Sequence, residues 1–95
     1  MIATHSRGIR LTSSGVALAR ATTVSGITIV AITVDTLVKL RDGGVAGPII
    51  WEGEADNATS SLTKTFNPPL KFFHSLYVEM TGDATSSVSL EVIEP

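Results

Sequence analysis

Residues 26–34 read Gly-Ile-Thr-Ile-Val-Ala-Ile-Thr-Val, β-branched at seven of nine positions. Two heavy atoms on Cβ crowd χ1 against the preceding turn of a helix, whereas they pack well on a pleated surface. The run is therefore a strand, and since it is apolar on both faces for much of its length it is the central one. Thr28 and Thr33 interrupt it far short of the about 20 apolar residues that a membrane helix needs. Everything else in the chain has to supply this strand with partners.

Turn chemistry cuts the remainder into short extended pieces. Residues 7–12 alternate apolar with polar and stop at Ser13-Ser14-Gly15; residues 16–21 are too few for a helix and form a further strand. Residues 36–41 return to alternation, with Leu37, and Leu40 after a local irregularity, directed at the core. Asp42-Gly43-Gly44 marks a hairpin, because glycine accepts the positive φ of tight turns. Pro48 opens the returning strand over residues 49–54, in which Trp51 is half-buried. After a polar loop over 56–61, Leu62, Lys64 and Phe66 share one face, with the lysine near an edge or snorkelling. Asn67-Pro68-Pro69 blocks continuation, since proline has no N–H to give to a ladder. A short aromatic piece over 70–75 follows, then residues 76–81 with Leu76, Val78 and Met80 on one face. The last strand, 87–94, has Val88, Leu90 and Val92 inward.

Seven to nine short strands separated by turn signals about every 8–12 residues specify an all-β antiparallel sandwich, with jelly-roll and immunoglobulin-like Greek-key topologies both open. Residues 8–95 form that single domain, and residues 1–7, polar and without an apolar leader core, form a flexible N-terminal arm free to dock on a neighbour. Cysteine is absent, so neither disulfides nor thiolate metal sites can staple a domain whose size leaves a thin stability margin. With a net charge of −2 and only 17% charged residues, close association between copies meets little repulsion.

Chemistry-bearing patterns are sparse. A hydrolytic triad has only His5 and His74 to draw on as a base, and there is no Gly-x-Ser-x-Gly elbow, so no enzymatic activity is expected. Glu52, Glu54 and Asp56 alternate and could project together toward a hard cation, but they lack calcium-loop spacing and read as a solvated strand end. Lys39 and Arg41 share a face, and two charges without interleaved aromatics do not make a nucleic-acid platform. Asn57-Ala58-Thr59 matches a glycosylation acceptor, read as chance without an export signal. No cofactor is expected. What remains is a neutral, Ser/Thr-rich surface with few charges to guard its sheet edges.

Residues 37–43 (Leu-Val-Lys-Leu-Arg-Asp-Gly), 47–51 (Gly-Pro-Ile-Ile-Trp), 66–70 (Phe-Asn-Pro-Pro-Leu), 76–82 (Leu-Tyr-Val-Glu-Met-Thr-Gly) and the closing strand over 88–92 together resemble the small β-sandwich virion proteins of tailed bacteriophages. The resemblance covers residues 26–95. It implies a many-copy structural role as a capsid decoration or cement protein, located on the virion surface and made in the host cytoplasm. Its implied partners are proteins: further copies in a homo-oligomer such as a trimer, and the major capsid or other virion proteins, with no nucleic acid and no membrane. Such proteins have no active-site residues to transfer. A small carbohydrate- or receptor-binding module of a head fibre or tail is the alternative, and it requires Trp51 and Tyr77 exposed side by side. The interface candidates are Ile2, His5, Arg7, Trp51, Phe73 and Tyr77.

Overall fold

The computed structural model describes residues 5–57, 61–83 and 85–94, without the side chains of residues 5, 6 and 94. The alternating segments become eight strands, and no helix occurs among the described residues: β1 (His5–Leu11), β2 (Gly15–Leu18), β3 (Thr22–Val30), β4 (Thr36–Asp42), β5 (Ile49–Ala55), β6 (Ser61–Phe72), β7 (Leu76–Thr81) and β8 (Ser87–Glu94). They form two four-stranded antiparallel sheets, β1-β8-β3-β6 and β2-β7-β4-β5. Every strand of the first half pairs with its counterpart counted back from the end: β4 with β5, β3 with β6, β2 with β7 and β1 with β8. This is one long antiparallel ribbon wrapped around a core, the jelly-roll order, and it excludes the immunoglobulin-like alternative.

The inward face of each strand follows the period of two. Val38, Leu40, Leu76 and Val78 from one sheet meet Val24, Ile29, Val88, Leu90 and Val92 from the other, each 0–1% exposed. Residues 36–42 are inward at the even positions, so Val38 and Leu40 enter the core while Leu37 lies outward beside Thr81 and Glu54. The expectation for Leu37 is thus corrected: Val38 and Leu40 share a face without any irregularity.

The central run is displaced from its expected limits. β3 begins at Thr22 and ends at Val30, and Ile32 and Val34 stand in the following loop, 62% and 38% exposed. A bulge at Ser25 explains the early start. Thr22 and Val24 point inward, then Ile27 and Ile29, because one residue is skipped against β8 between the Val24–Val92 and Gly26–Glu91 pairs. Similarly, β2 closes at Leu18 rather than running to residue 21.

The proline pair does not end a strand. β6 runs from Ser61 through Asn67-Pro68-Pro69 to Phe72, with a cis peptide bond between Asn67 and Pro68. Its ladder with β3 jumps from the Gly26–Thr65 pair to the Val24–Leu70 pair, so residues 66–69 loop out of the pairing. The prolines therefore occupy positions where no ladder N–H is required, on an edge strand. Within that bulge Phe66 turns inward, 7% exposed, and meets the Trp51 ring edge-on at 5.4 Å and 73°. Lys64 lies on the edge and is exposed, as expected for a snorkelling lysine. The N-terminal arm is corrected as well: residues 5–7 are strand, paired with Glu94, Ile93 and Val92, and only residues 1–4 lie outside the described residues.

The β4–β5 connection is the innermost turn of the wrap. Gly43 and Gly44 carry φ of 99° and 111°, and the Gly47 N–H closes on Gly44 O at 3.0 Å. A Cβ on Gly47 would strike the carbonyl oxygen of Asp42 and approach its carbon to 2.7 Å, whereas nothing lies within 4 Å of a Cβ on Gly8 in β1. Gly47→Ala is therefore expected to destabilise the fold by about 1–3 kcal/mol, roughly 5–20 °C in Tm. Gly8→Ala should leave Tm unchanged or raise it slightly. Thermal unfolding of the two variants side by side checks this.

Candidate functional site

The wrap sorts the loops to two ends. The β3–β4, β5–β6 and β7–β8 connections meet at one, where Asn57 N–H donates to Asp35 Oδ1 at 3.0 Å, Asn57 Nδ2 to the Thr33 carbonyl at 3.1 Å, and Thr85 Oγ1 to Thr33 Oγ1 at 3.1 Å. The Asn57 amide of the acceptor-like tripeptide is thus already engaged. Beneath these loops Thr36 Oγ1 and Ser86 Oγ share a buried hydrogen bond of 2.7 Å. A Cβ on Gly82 would come within 2.5 Å of that serine oxygen.

The opposite end is organised by one carboxylate. Asp42, at the last inward position of β4, is 6% exposed. Its Oδ2 accepts the Phe73 N–H at 2.9 Å, and its Oδ1 accepts the N–H groups of His74 and Ser75 at 2.9 and 3.3 Å. Two backbone bonds reinforce the junction, Asp42 N–H to the Pro48 carbonyl at 3.1 Å and Gly43 N–H to the Ser75 carbonyl at 3.3 Å. The β6–β7 turn is thereby fixed to the β4–β5 turn through a nest of N–H donors. Burial alone would raise the Asp42 pKa; the three N–H donors, with the adjacent His74, outweigh it and hold the carboxyl below its ordinary value.

This anchorage determines how Phe73 is presented. Its backbone is held and its side chain is 72% exposed. At the same end stand Val45 at the tip of the β4–β5 turn and Ile49 and Ile50 at the start of β5, 68%, 44% and 37% exposed. A register slip in the β4–β5 ladder, Leu40 opposite Trp51 but Arg41 opposite Ile49, leaves both isoleucines outside the core. The outer face of the same sheet continues the patch, because Val16, Tyr77, Arg41 and Ile49 lie in one cross-strand row. Four large apolar side chains, on this tethered pair of turns and at the start of β5, thus form an exposed apolar corner.

Of the expected interface residues, Phe73 is in this corner and Tyr77 is half-buried in the adjoining row. Trp51 is not part of it. It lies opposite buried Leu40, packs on the core against Phe66, and covers Gly53, whose hypothetical Cβ would lie 2.6 Å from Trp51 Cζ2. Trp51 and Tyr77 accordingly sit on opposite faces of their sheet. Arg7 is exposed on β1, His5 is in β1, and Ile2 lies outside the described residues. Val45, Ile49 and Ile50 escaped sequence reasoning, although two consecutive isoleucines in a strand cannot both point inward.

The other candidate groups are dispersed. Lys39 and Arg41 are both turned onto Glu79, Lys39 Nζ at 3.8 Å and Arg41 Nε at 2.9 Å, and Arg41 also donates to the Gly47 carbonyl at 2.9 Å. Glu52, Glu54 and Asp56 are exposed, and no group of three His, Asp or Glu side chains close enough to hold a metal occurs among the described residues. His74 has an acid beside it, Nδ1 lying 3.5 Å from Asp42 Oδ1, but the imidazole is 79% exposed on a turn rather than set in a cleft. A shallow groove of about 260 Å³ on the outer face of the other sheet is lined by Gly8, Gly26, Thr28, Thr65 and Ser89 among others, and this histidine is not part of its lining.

Asp42→Asn places an NH₂ group where a backbone N–H needs an acceptor, whichever way the amide is turned. It is expected to cost about 1.5–3 kcal/mol of stability at neutral pH. Since the folded pKa is depressed, the carboxylate's contribution is present above the unfolded value of about 3.9 and is lost as pH falls through the folded pKa. Urea unfolding of the wild type should therefore weaken on acidification below about pH 4, and the variant should lack that part of the loss. Compared with known proteins, the sequence matches no family model and no curated protein.

Proposed function

We propose that the chain is a non-enzymatic structural protein of a tailed-bacteriophage virion, a capsid decoration or cement protein that self-associates and grips neighbouring capsid subunits. The observation that carries the reading is the apolar corner of Val45, Ile49, Ile50 and Phe73, set beside two turns that Asp42 ties together. A 95-residue domain with an aliphatic core has no folding reason to leave four large apolar groups in water at one end. Covered by a partner, they contribute at roughly 25 cal/mol per Å² of apolar surface, before the cost of association is subtracted. Preorganisation reduces that cost, because the turn backbone is already fixed. The jelly-roll order supports the reading by analogy, being frequent in capsid and lectin domains.

That analogy extends to sugar binding, which is the alternative reading. Against it stands the geometry of the aromatics: a stacking platform needs Trp51 and Tyr77 on one exposed surface, and they occupy opposite faces of a sheet.

Light scattering coupled to size exclusion, together with co-sedimentation on phage shells, tests the proposal. The double variant Phe73→Asp/Ile49→Asp should lose association and shell binding while its Tm stays within a few degrees of wild type. A wild-type chain that remains monomeric and ignores shells overturns the reading. Trp51→Ala, in contrast, is expected to destabilise the fold itself by about 2–4 kcal/mol through the void left against Phe66. Retained fold with lost glycan binding in that variant would favour the sugar module.

A further inference from the structure

The described sandwich has four sheet edges, and they are not equally protected. β6 carries the Asn67-Pro68-Pro69 bulge, which interrupts its ladder, and β2 is four residues long. Short strands, prolines and bulges are the ordinary means of preventing edge pairing. β1 and β5 have none of the first two: each is seven residues long with no proline inside it, and the slip in β5 is confined to its first residues. Each therefore presents a row of backbone N–H and C=O groups with no strand beyond it among the described residues.

These two edges carry opposite charge. On β1, Arg10 projects outward opposite Ser89, exposed and without an ion pair among the described residues. On β5, Glu52 and Glu54 project outward opposite Lys39 and Leu37. The cations of that face do not neutralise them, because Glu79 on the far side of β4 takes both Lys39 and Arg41. The two edges also lie on opposite flanks, β1 beside β2 and β5 beside β6. A single copy cannot bring them together, whereas two copies placed side by side can.

We infer that the open β1 edge of one copy adds to the open β5 edge of a second copy, with Arg10 set against Glu52 and Glu54. The inference rests on the self-associating reading above and names its contact. Backbone hydrogen bonds between the strands join the sheets, and the charge pairing selects this edge over a like-charged one. Different surfaces of the two copies meet, so the contact is head-to-tail; repeated, it closes into a ring if the rotation allows, and otherwise extends as a chain.

Charge reversal tests this directly, since all three side chains are exposed and their replacement should leave Tm near the wild-type value. Arg10→Glu alone, and Glu52→Lys with Glu54→Lys, should each weaken self-association about tenfold by placing like charges opposite one another. Mixing the two variant proteins should restore a mixed assembly, and 1 M salt should weaken the wild-type contact. The chain has no cysteine, so an Arg10→Cys protein mixed with a Glu52→Cys protein should form a disulfide-linked heterodimer more readily than either alone. If the wild type associates and both charge variants associate equally well, the edge contact is overturned while the structural role stands. A wild type that stays monomeric to millimolar concentration overturns the edge contact, and if it also fails to bind phage shells the structural role falls with it.

Discussion

Asp42 is the residue on which the two ends of the ribbon's innermost turn depend. As the last inward position of β4 it would ordinarily be apolar, and a carboxylate there is tolerable only because three N–H groups of the β6–β7 turn converge on it. The same residue's N–H holds the Pro48 carbonyl and its carbonyl oxygen leaves no space for a side chain at Gly47. Backbone and side chain of one aspartate thus define the β4–β5 turn and dock a second turn onto it. The β4–β5 pair is the centre from which the β3–β6, β2–β7 and β1–β8 pairs are nested outward. The same fixation sets the backbone beneath the exposed corner: Phe73 N–H is committed to Asp42 while its ring stands in solvent.

The sequence was most legible where a strand has one wet face. In β8, Val88, Leu90 and Val92 alternate with Ser89 and Glu91 and are inward as expected; Leu76 and Val78 in β7 behave likewise. It was least legible where the ladder is irregular. The skipped residue at Ser25 inverts the parity of β3 midway, and the run beyond it, apolar on both faces, gives no sign of where the bulge lies. The proline pair misled for a related reason. A missing donor forbids a paired position, not a looped-out one, and periodicity does not say which of these a proline occupies. Leu37 and Val38 illustrate a third difficulty: adjacent apolar residues leave the register undetermined until cross-strand neighbours fix it.

The site was less visible than the fold for a different physical reason. Phe73 and Tyr77 stood out by chemistry, but the corner is created by two turns about thirty residues apart, which the Asp42 side-chain bonds and the Gly43–Ser75 backbone bond bring together. Trp51, the most conspicuous side chain in the sequence, proved to close the open flank between β5 and β6. Edge strands of facing sheets leave a gap there, and an indole spanning it to Phe66 fills the gap that no backbone pairing can.

The nested order also determines which elements depend most on neighbours. With inner pairs in place, the loop that must close to bring Ile9 to Leu90 is short, although the two are 81 positions apart in sequence, so β1 adds to the sheet at little entropic cost. It also gains least, since β8 supports it on one side only and its inward residues Ile9 and Leu11 remain half-buried. In a domain without disulfides, and with a margin limited by its size, the outermost strand is where extra support has most effect. A second copy bound along β1 engages the folded chain and not the unfolded one, so association and folding reinforce each other by mass action. Among the open edges, β1 is thus the one where an added strand has most to stabilise, which is the contact the proposed self-association would use.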